Sequence, residues 1–192
     1  MSELENEQTE QEEKTSFKQD LYYWMQALVV ALAALILIFT LVGRVISVVG
    51  PSMQPTLHEG DLMLLQTIGY KPENGDVVVL RKESFMSEPI VKRIIATGGQ
   101  HVQVDIPNNA VYVDGVQLDE TYINEPMEQV AYLSQGGVLD VVVPEGSIYV
   151  MGDNRNHSND SRDLRLGTVD EQFILGRAVC ILFPFRDFGI IH

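Results

Sequence analysis

Residues 89–118 read PIVKRIIATGGQHVQVDIPNNAVYVDGVQL, and this stretch decides the fold class. It opens with a mostly apolar run at 89–97. Residues 101–106 then alternate polar and apolar side chains, as expected for a strand with one buried face. Two short apolar runs flank Asp114-Gly115, a dipeptide typical of a two-residue hairpin turn because both central positions need positive φ. The stretch therefore predicts consecutive antiparallel β-strands.

Further strand candidates lie on both sides of this stretch. They are the apolar runs at 76–81, 138–143, 147–151 and 178–185. Turn residues recur between them at short spacing, and no long helical period competes after residue 44. The predicted fold class is mainly β, with a partly closed all-β core of the barrel or sandwich kind.

Residues 21–43 read LYYWMQALVVALAALILIFTLVG and contain no charged side chain. About 20 such residues span the hydrocarbon layer of a membrane as a helix, and the aromatic residues at one end suit the headgroup region. A buried core helix would be shorter and polar on one side. A cleaved signal peptide would need a shorter apolar region, a basic start and a small-residue cleavage site. The segment therefore predicts one uncleaved transmembrane anchor.

The charges around this segment suggest how the chain is placed. Residues 1–20 hold seven acidic residues and two lysines, a composition that predicts a disordered tail. Lys14 and Lys18 precede the span and Arg44 follows it, which favours a cytoplasmic N-terminus. Residues 45–192 would then lie on the extracytoplasmic side. The net charge of -14 argues against nucleic-acid binding, which needs a basic face.

A serine in a constrained turn is the first candidate for chemistry. Residues 50–57 read GPSMQPTL, so two prolines and a glycine fix the backbone around Ser52. A nucleophile benefits from such rigidity, because a small misplacement of the attacking oxygen lowers the rate. Serines in turns of this composition are more often simple turn residues. The segment alone therefore leaves both interpretations open.

Lys92 is the second candidate. Strand alternation places it on the same face as Ile90 and Ile94. Burial disfavours the charged ammonium and lowers a lysine pKa, and the resulting neutral amine can accept a proton from a hydroxyl. The alternative is a side chain that reaches solvent and pairs with an acidic residue.

The third candidate is the polar segment at 152–163, GDNRNHSNDSRD. A calcium loop would need oxygen ligands at positions that Arg155 and His157 occupy. A Ser-His-Asp triad could use His157. A structural network in which Asp160 pairs with Arg162 is the remaining interpretation.

Taken together, four segments resemble the ordered sequence boxes of bacterial type I signal peptidases. They are GPSMQPTL at 50–57, GDLMLL at 60–65, VKRIIA at 91–96 and GDNRNHSNDSR at 152–162. The resemblance covers essentially everything after the acidic tail, and the last box is highly specific. It implies an all-β catalytic core with a small β insertion at about 101–146.

The resemblance also assigns residues and partners. It implies that Ser52 is the nucleophile, that Lys92 is the general base, that Ser158 orients the lysine amine and that Asp160 and Arg162 form a supporting ion pair. The Ser52 backbone N–H would stabilise the oxyanion. Many relatives add a hydroxyl two residues earlier, where this chain has glycine. The implied substrates are secretory preproteins cut after small residues in an Ala-x-Ala-like pattern, at the cytoplasmic membrane, with no metal or organic cofactor.

Two other functions fit parts of the pattern. A self-cleaving Ser-Lys repressor would carry a DNA-binding domain in a cytosolic chain, which the apolar span and acidic tail disfavour. A non-catalytic membrane-tethered assembly or binding subunit would lack the serine or the lysine, and both are present.

Overall fold

The computed structural model describes residues 18–36, 43–128 and 138–192. The chain divides into two compact units, Met1–Val42 and Gly43–His192. The first unit contains helix α1, Lys18–Ile36, which is long and apolar enough to cross a membrane. The predicted tail and the last part of the predicted span fall mostly on residues 1–17 and 37–42, which lie outside the described residues. The helix begins three residues before the predicted start of the span.

The second unit is built from β-strands. They are β1 (Gly43–Ser47), β2 (Leu62–Gln66), β3 (Val77–Leu80), β4 (Ile90–Thr97), β5 (His101–Asp105), β6 (Ala110–Val113), β7 (Val116–Gln117), β8 (Val138–Val142), β9 (Ser147–Met151), β10 (Val169–Asp170), β11 (Ile174–Phe183) and β12 (Gly189–Ile190). Among the described residues, eight strands form one sheet in the order β1-β2-β11-β3-β4-β9-β10, with β12 beside β11. The other four form a second sheet, β7-β6-β5-β8. The predicted mainly β fold class is confirmed.

The central strands of the larger sheet are buried on both faces. In β3, Val77 and Val79 pack into one apolar cluster, whereas Val78 and Leu80 pack into another. Successive side chains of a strand point to opposite faces, so a continuous apolar run is what a doubly covered strand requires. Strand β4 lies between β3 and β9 and is paired on both edges.

The smaller sheet corresponds to the predicted insertion. Its strands lie between His101 and Val142 and share an apolar cluster with residues of β4 and β9. The predicted hairpin is present between β6 and β7, and both Asp114 and Gly115 have positive φ, 52° and 80°. These are the backbone conformations that this turn demands.

The sequence did not predict β1 or β2, and it placed the start of β11 four residues too late. Gly43 was assigned to the span but is the first residue of β1. Residues 37–44 read LIFTLVGR, so the sequence has neither a proline nor a run of polar residues between the apolar span and β1. Composition alone therefore has no signal for that boundary.

Candidate active site

Ser52 lies on the loop between β1 and β2. Gly50 has a φ of +80°, a left-handed conformation that glycine adopts without strain. The turn that follows is closed by a hydrogen bond from Leu57 N–H to Met53 O of 2.9 Å. Met53 and Leu57 are buried in the apolar core, and each burial of this kind contributes about 1.5–3 kcal/mol. The loop is thereby anchored directly after Ser52.

Lys92 reaches Ser52 from the centre of β4. Its Nζ atom donates a hydrogen bond of 2.8 Å to Ser52 Oγ and another of 2.9 Å to Val91 O. The residue is only 3% exposed, so it does not reach solvent. Burial lowers the pKa of Lys92 to about 8, although Asp160 and Asp153 act in the opposite direction. The amine is therefore placed beside the hydroxyl and is poorly able to hold a charge.

The polar loop at 152–162 contacts the backbone of Ser52. Asn154 N–H donates to Ser52 O at 3.1 Å, and Asn154 Nδ2 donates to Pro51 O at 3.2 Å. Gly152 lies so close that a Cβ atom there would come within 2.5 Å of Ser52 O. Asn154 thus holds the backbone carbonyl groups of Pro51 and Ser52, and Gly152 packs closely against Ser52.

Asp160 and Arg162 form a buried ion pair at the end of this loop. Arg162 donates to both carboxylate oxygens, with Nε at 2.8 Å and an Nη atom at 2.9 Å. Asp160 also accepts a 3.0 Å hydrogen bond from Gly152 N–H. Burial raises the pKa of Asp160, but the charge and hydrogen bonds of Arg162 outweigh this effect and lower it. The ionised pair therefore fixes the backbone of the glycine that packs against Ser52.

Ser158 is buried in this loop. The hydrogen bonds of Lys92 Nζ in the described parts of the chain go to Ser52 Oγ and Val91 O, so the orienting role of Ser158 that the resemblance implies stays a prediction. The Ser158 hydroxyl is a hydrogen-bonding neighbour of Asp160 and helps to lower the pKa of that carboxyl. The Ser158 side chain also packs against Gly152. Lys92 directs its second hydrogen bond to a backbone carbonyl of its own strand.

Ser52 and Lys92 open into a cleft of about 160 Å³. Val49, Met86, Pro89 and Ile90 supply apolar lining, and His157 and Asn159 supply polar lining. Within the described residues, the His157 side chain makes no hydrogen bond to Ser52, so the Ser-His-Asp interpretation is not what this geometry forms.

Residues 21–183 match the family described as "Signal peptidase, peptidase S26". The chain belongs to the signal peptidase family, peptidase S26. It is 34% identical over 183 residues to Signal peptidase I of Bacillus licheniformis, with 92% of this chain and 96% of the relative covered. It is 36% identical over 172 residues to Probable signal peptidase I-1 of Synechocystis sp., with 84% and 82% covered. A crystal structure of a signal peptidase I from Enterococcus faecalis V583 is 26% identical, covering 57% of this chain and 98% of that chain with a TM-score of 0.46.

As an S26 signal peptidase, the chain is a serine peptidase. The resemblance also implied structural support from Arg93 and Asp153, whereas Thr56 was not singled out from the sequence. Thr56 Oγ1 donates to the Asp153 carboxylate, which also accepts two hydrogen bonds from Arg93 at 2.8 and 2.7 Å. Arg93 further donates to the carbonyl oxygens of Gly75 and His192. In this peptidase, Arg93, which directly follows Lys92, therefore links the loop that carries Ser52 to the polar loop at 152–162. Thr56 lies in the GPSMQPTL segment, and this position is the sequence signal that could have identified it.

Proposed function

We propose that this chain is a membrane-bound serine endopeptidase that removes signal peptides from secreted preproteins by means of a Ser52-Lys92 dyad. The observation that carries the proposal is the 2.8 Å hydrogen bond between Lys92 Nζ and Ser52 Oγ, made by a lysine that is almost fully buried. A desolvated amine next to a hydroxyl is the arrangement that activates a weak nucleophile.

The reaction follows from this geometry. Neutral Lys92 takes the hydroxyl proton as Ser52 Oγ attacks the scissile carbonyl carbon, and a tetrahedral oxyanion forms. The Ser52 N–H donates to no other group in the described parts of the chain, so it is available to that oxyanion. Lys92 then gives its proton to the leaving amine. Water, activated by the same amine, hydrolyses the acyl-enzyme and releases Ser52.

The surrounding residues support the dyad in this mechanism. Asp160 and Arg162 hold the Gly152 backbone, and Ser158 supports the same pair through its hydrogen bond to Asp160. Gly50 carries no side chain, so this position adds no second donor to the oxyanion.

The membrane assignment rests on α1. We place this helix across the cytoplasmic membrane as a single span, with the N-terminus in the cytoplasm and Gly43–His192 on the extracytoplasmic side. The basic residues that flank the apolar segment favour this orientation. An enzyme and a preprotein that share one membrane meet at a raised effective concentration.

The substrate assignment makes a direct prediction. A preprotein with Ala-x-Ala before the cut should be cleaved, and replacing the alanine at -1 by tryptophan should lower kcat/KM by about 100-fold or more, because a side chain of that size misplaces the scissile bond. Tryptophan at -2, the variable position of the pattern, is the matched control and should be tolerated. N-terminal sequencing of the product locates the cut. Equal cleavage of both tryptophan variants would contradict the assignment.

The pH dependence of cleavage is the second prediction. Burial lowers the pKa of Lys92 to about 8, and the neutral amine is the active form. The rate should therefore rise with pH through a midpoint near that value and level off above it. The pH dependence of kcat/KM reports the pKa of Lys92 in the free enzyme. Two unrelated preproteins should therefore give the same midpoint. A rate that rises only near the pKa of a solvated lysine, about 10.4, would exclude a desolvated base.

A further inference from the structure

A segment of the smaller sheet region runs against the polar loop of the active site. This segment, residues 119–128, follows β7 and is here named the strap. Its Glu120 carboxylate accepts a hydrogen bond from Arg155, which directly follows Asn154. The Arg155 side chain is 0% exposed and that of Glu120 is 7% exposed. The two charges are therefore removed from water together.

Other contacts join the strap to the residues around Asn154. The Tyr122 ring lies 4.2 Å from the Arg93 guanidinium carbon, and Arg93 holds Asp153 on the other side of Asn154. Asn156 Nδ2 donates to Glu125 Oε1 at 2.9 Å and Asn156 Oδ1 accepts from Glu128 N–H at 2.8 Å.

The hydrogen bonds of Arg155 connect the strap to the nucleophile. Arg155 Nε donates to Gly152 O at 3.1 Å, so the same guanidinium that meets Glu120 also closes the turn that contains Asn154. Asn154 in turn donates to the carbonyl groups of Pro51 and Ser52. A buried cation that loses its carboxylate has to find new partners, and its movement would displace this turn.

We propose that Glu120 is a positioning residue for the nucleophile, acting through Arg155 on the Asn154 groups that hold Ser52. This inference rests on the proposed Ser52-Lys92 function and extends it to a residue 68 positions further along the chain. Glu120 does not touch the reacting atoms. Neither Glu120 nor Arg155 is among the charged groups that shift the Lys92 pKa, which are Asp160, Asp153 and Arg162. Its effect should therefore appear in the rate and not in the protonation of the base.

The test compares Glu120→Gln with Asp119→Asn in the full-length protein in detergent. Asp119 is adjacent and exposed, and its replacement removes the same charge. Glu120→Gln should lower kcat by about tenfold or more, since misplacement by about 1 Å can cost about 100-fold. KM should stay within about threefold, and the midpoint of the pH profile should not move. Asp119→Asn should match the wild type within about twofold, and Glu120→Asp should recover part of the lost rate.

Several results would overturn the inference. One is a kcat for Glu120→Gln equal to that of Asp119→Asn. The others are, for Glu120→Gln, a rise in KM at unchanged kcat or a shifted midpoint of the pH profile. A loss of rate that disappears when rates are divided by the folded fraction from circular dichroism would also overturn it. If Glu120→Gln does not fold, Glu120→Asp is judged by the same criteria.

A second readout separates this inference from the proposed function. The rate at which a fluorophosphonate labels Ser52, followed by mass spectrometry, reports the nucleophile without any preprotein. If the wild type is labelled but cleaves no preprotein, the substrate assignment is wrong and Glu120 is judged from labelling, where a loss of about tenfold or more supports it. If the wild type cleaves and Glu120→Gln is labelled as fast as Asp119→Asn, Glu120 is not a positioning residue and the function stands.

Discussion

Replacing Lys92 by methionine, or Ser52 by alanine, is expected to lower kcat/KM for preprotein cleavage by about 10³- to 10⁶-fold. The methionine side chain is close in length to lysine and is apolar, so it can occupy the buried site at the centre of β4 without leaving an unpaired charge. It cannot accept a proton. The alanine variant removes the attacking oxygen itself. Because the two residues act as one unit, the double variant should be little worse than either single variant.

Exposed residues of the same types provide the controls. Lys71→Met and Ser47→Ala change side chains at the surface of the same unit and should keep near wild-type activity. Gel-based cleavage of a purified preprotein in detergent measures the wild type and all five variants under one set of conditions. Activity within about tenfold of the wild type in Lys92→Met or in Ser52→Ala would remove the dyad from the mechanism.

Gly152→Ala is expected to have the next largest effect, a loss of about 100-fold in kcat. An added Cβ atom would meet the side chain of Ser158 on one side and would lie 2.5 Å from Ser52 O on the other. Contacts this short force the backbone to move, and the carbonyl belongs to Ser52, the proposed nucleophile. Overpacking of this kind also destabilises the fold by about 1–3 kcal/mol.

Gly189→Ala is the matched control for this effect. Gly189 lies in β12, whereas Gly152 directly follows β9. An added Cβ atom at Gly189 would have its nearest neighbour, Asp187 O, at 3.9 Å, an ordinary contact. Thermal unfolding of both variants separates the loss of stability from the loss of rate. If Gly152→Ala kept full activity, the close packing between the polar loop and Ser52 would have no bearing on catalysis.

The strands that position the site were predictable where hydrophobic pattern and turn chemistry agreed. The hairpin at Asp114-Gly115 has a local cause, since its turn needs positive φ at both positions. The run that contains Lys92 is apolar because β4 is covered on both faces, and this placed the lysine among buried neighbours from sequence alone. Strand β1 was missed because the preceding apolar segment masks its beginning.

The contacts that complete the site were not predictable in the same way. Glu120 and Arg155 are 35 positions apart, and no residue next to either of them in the sequence indicates that they form an ion pair. The hydrogen bond from Lys92 Nζ to Val91 O, a backbone group of its own strand, had no signal in the sequence. Such pairings depend on how two loops meet in space, and residue types in a linear pattern do not encode that geometry.

Lys92 and Ser52, the proposed dyad, lie on backbone segments of different rigidity. Strand β4 is hydrogen-bonded along both edges, so its backbone cannot shift without breaking ladders to two neighbours at once. Ser52 lies on a loop that a few individual hydrogen bonds hold in place. Under the proposed mechanism, a rearrangement between acylation and hydrolysis is therefore expected on the serine side, where the loop has to return the Ser52 oxygen to a stationary amine.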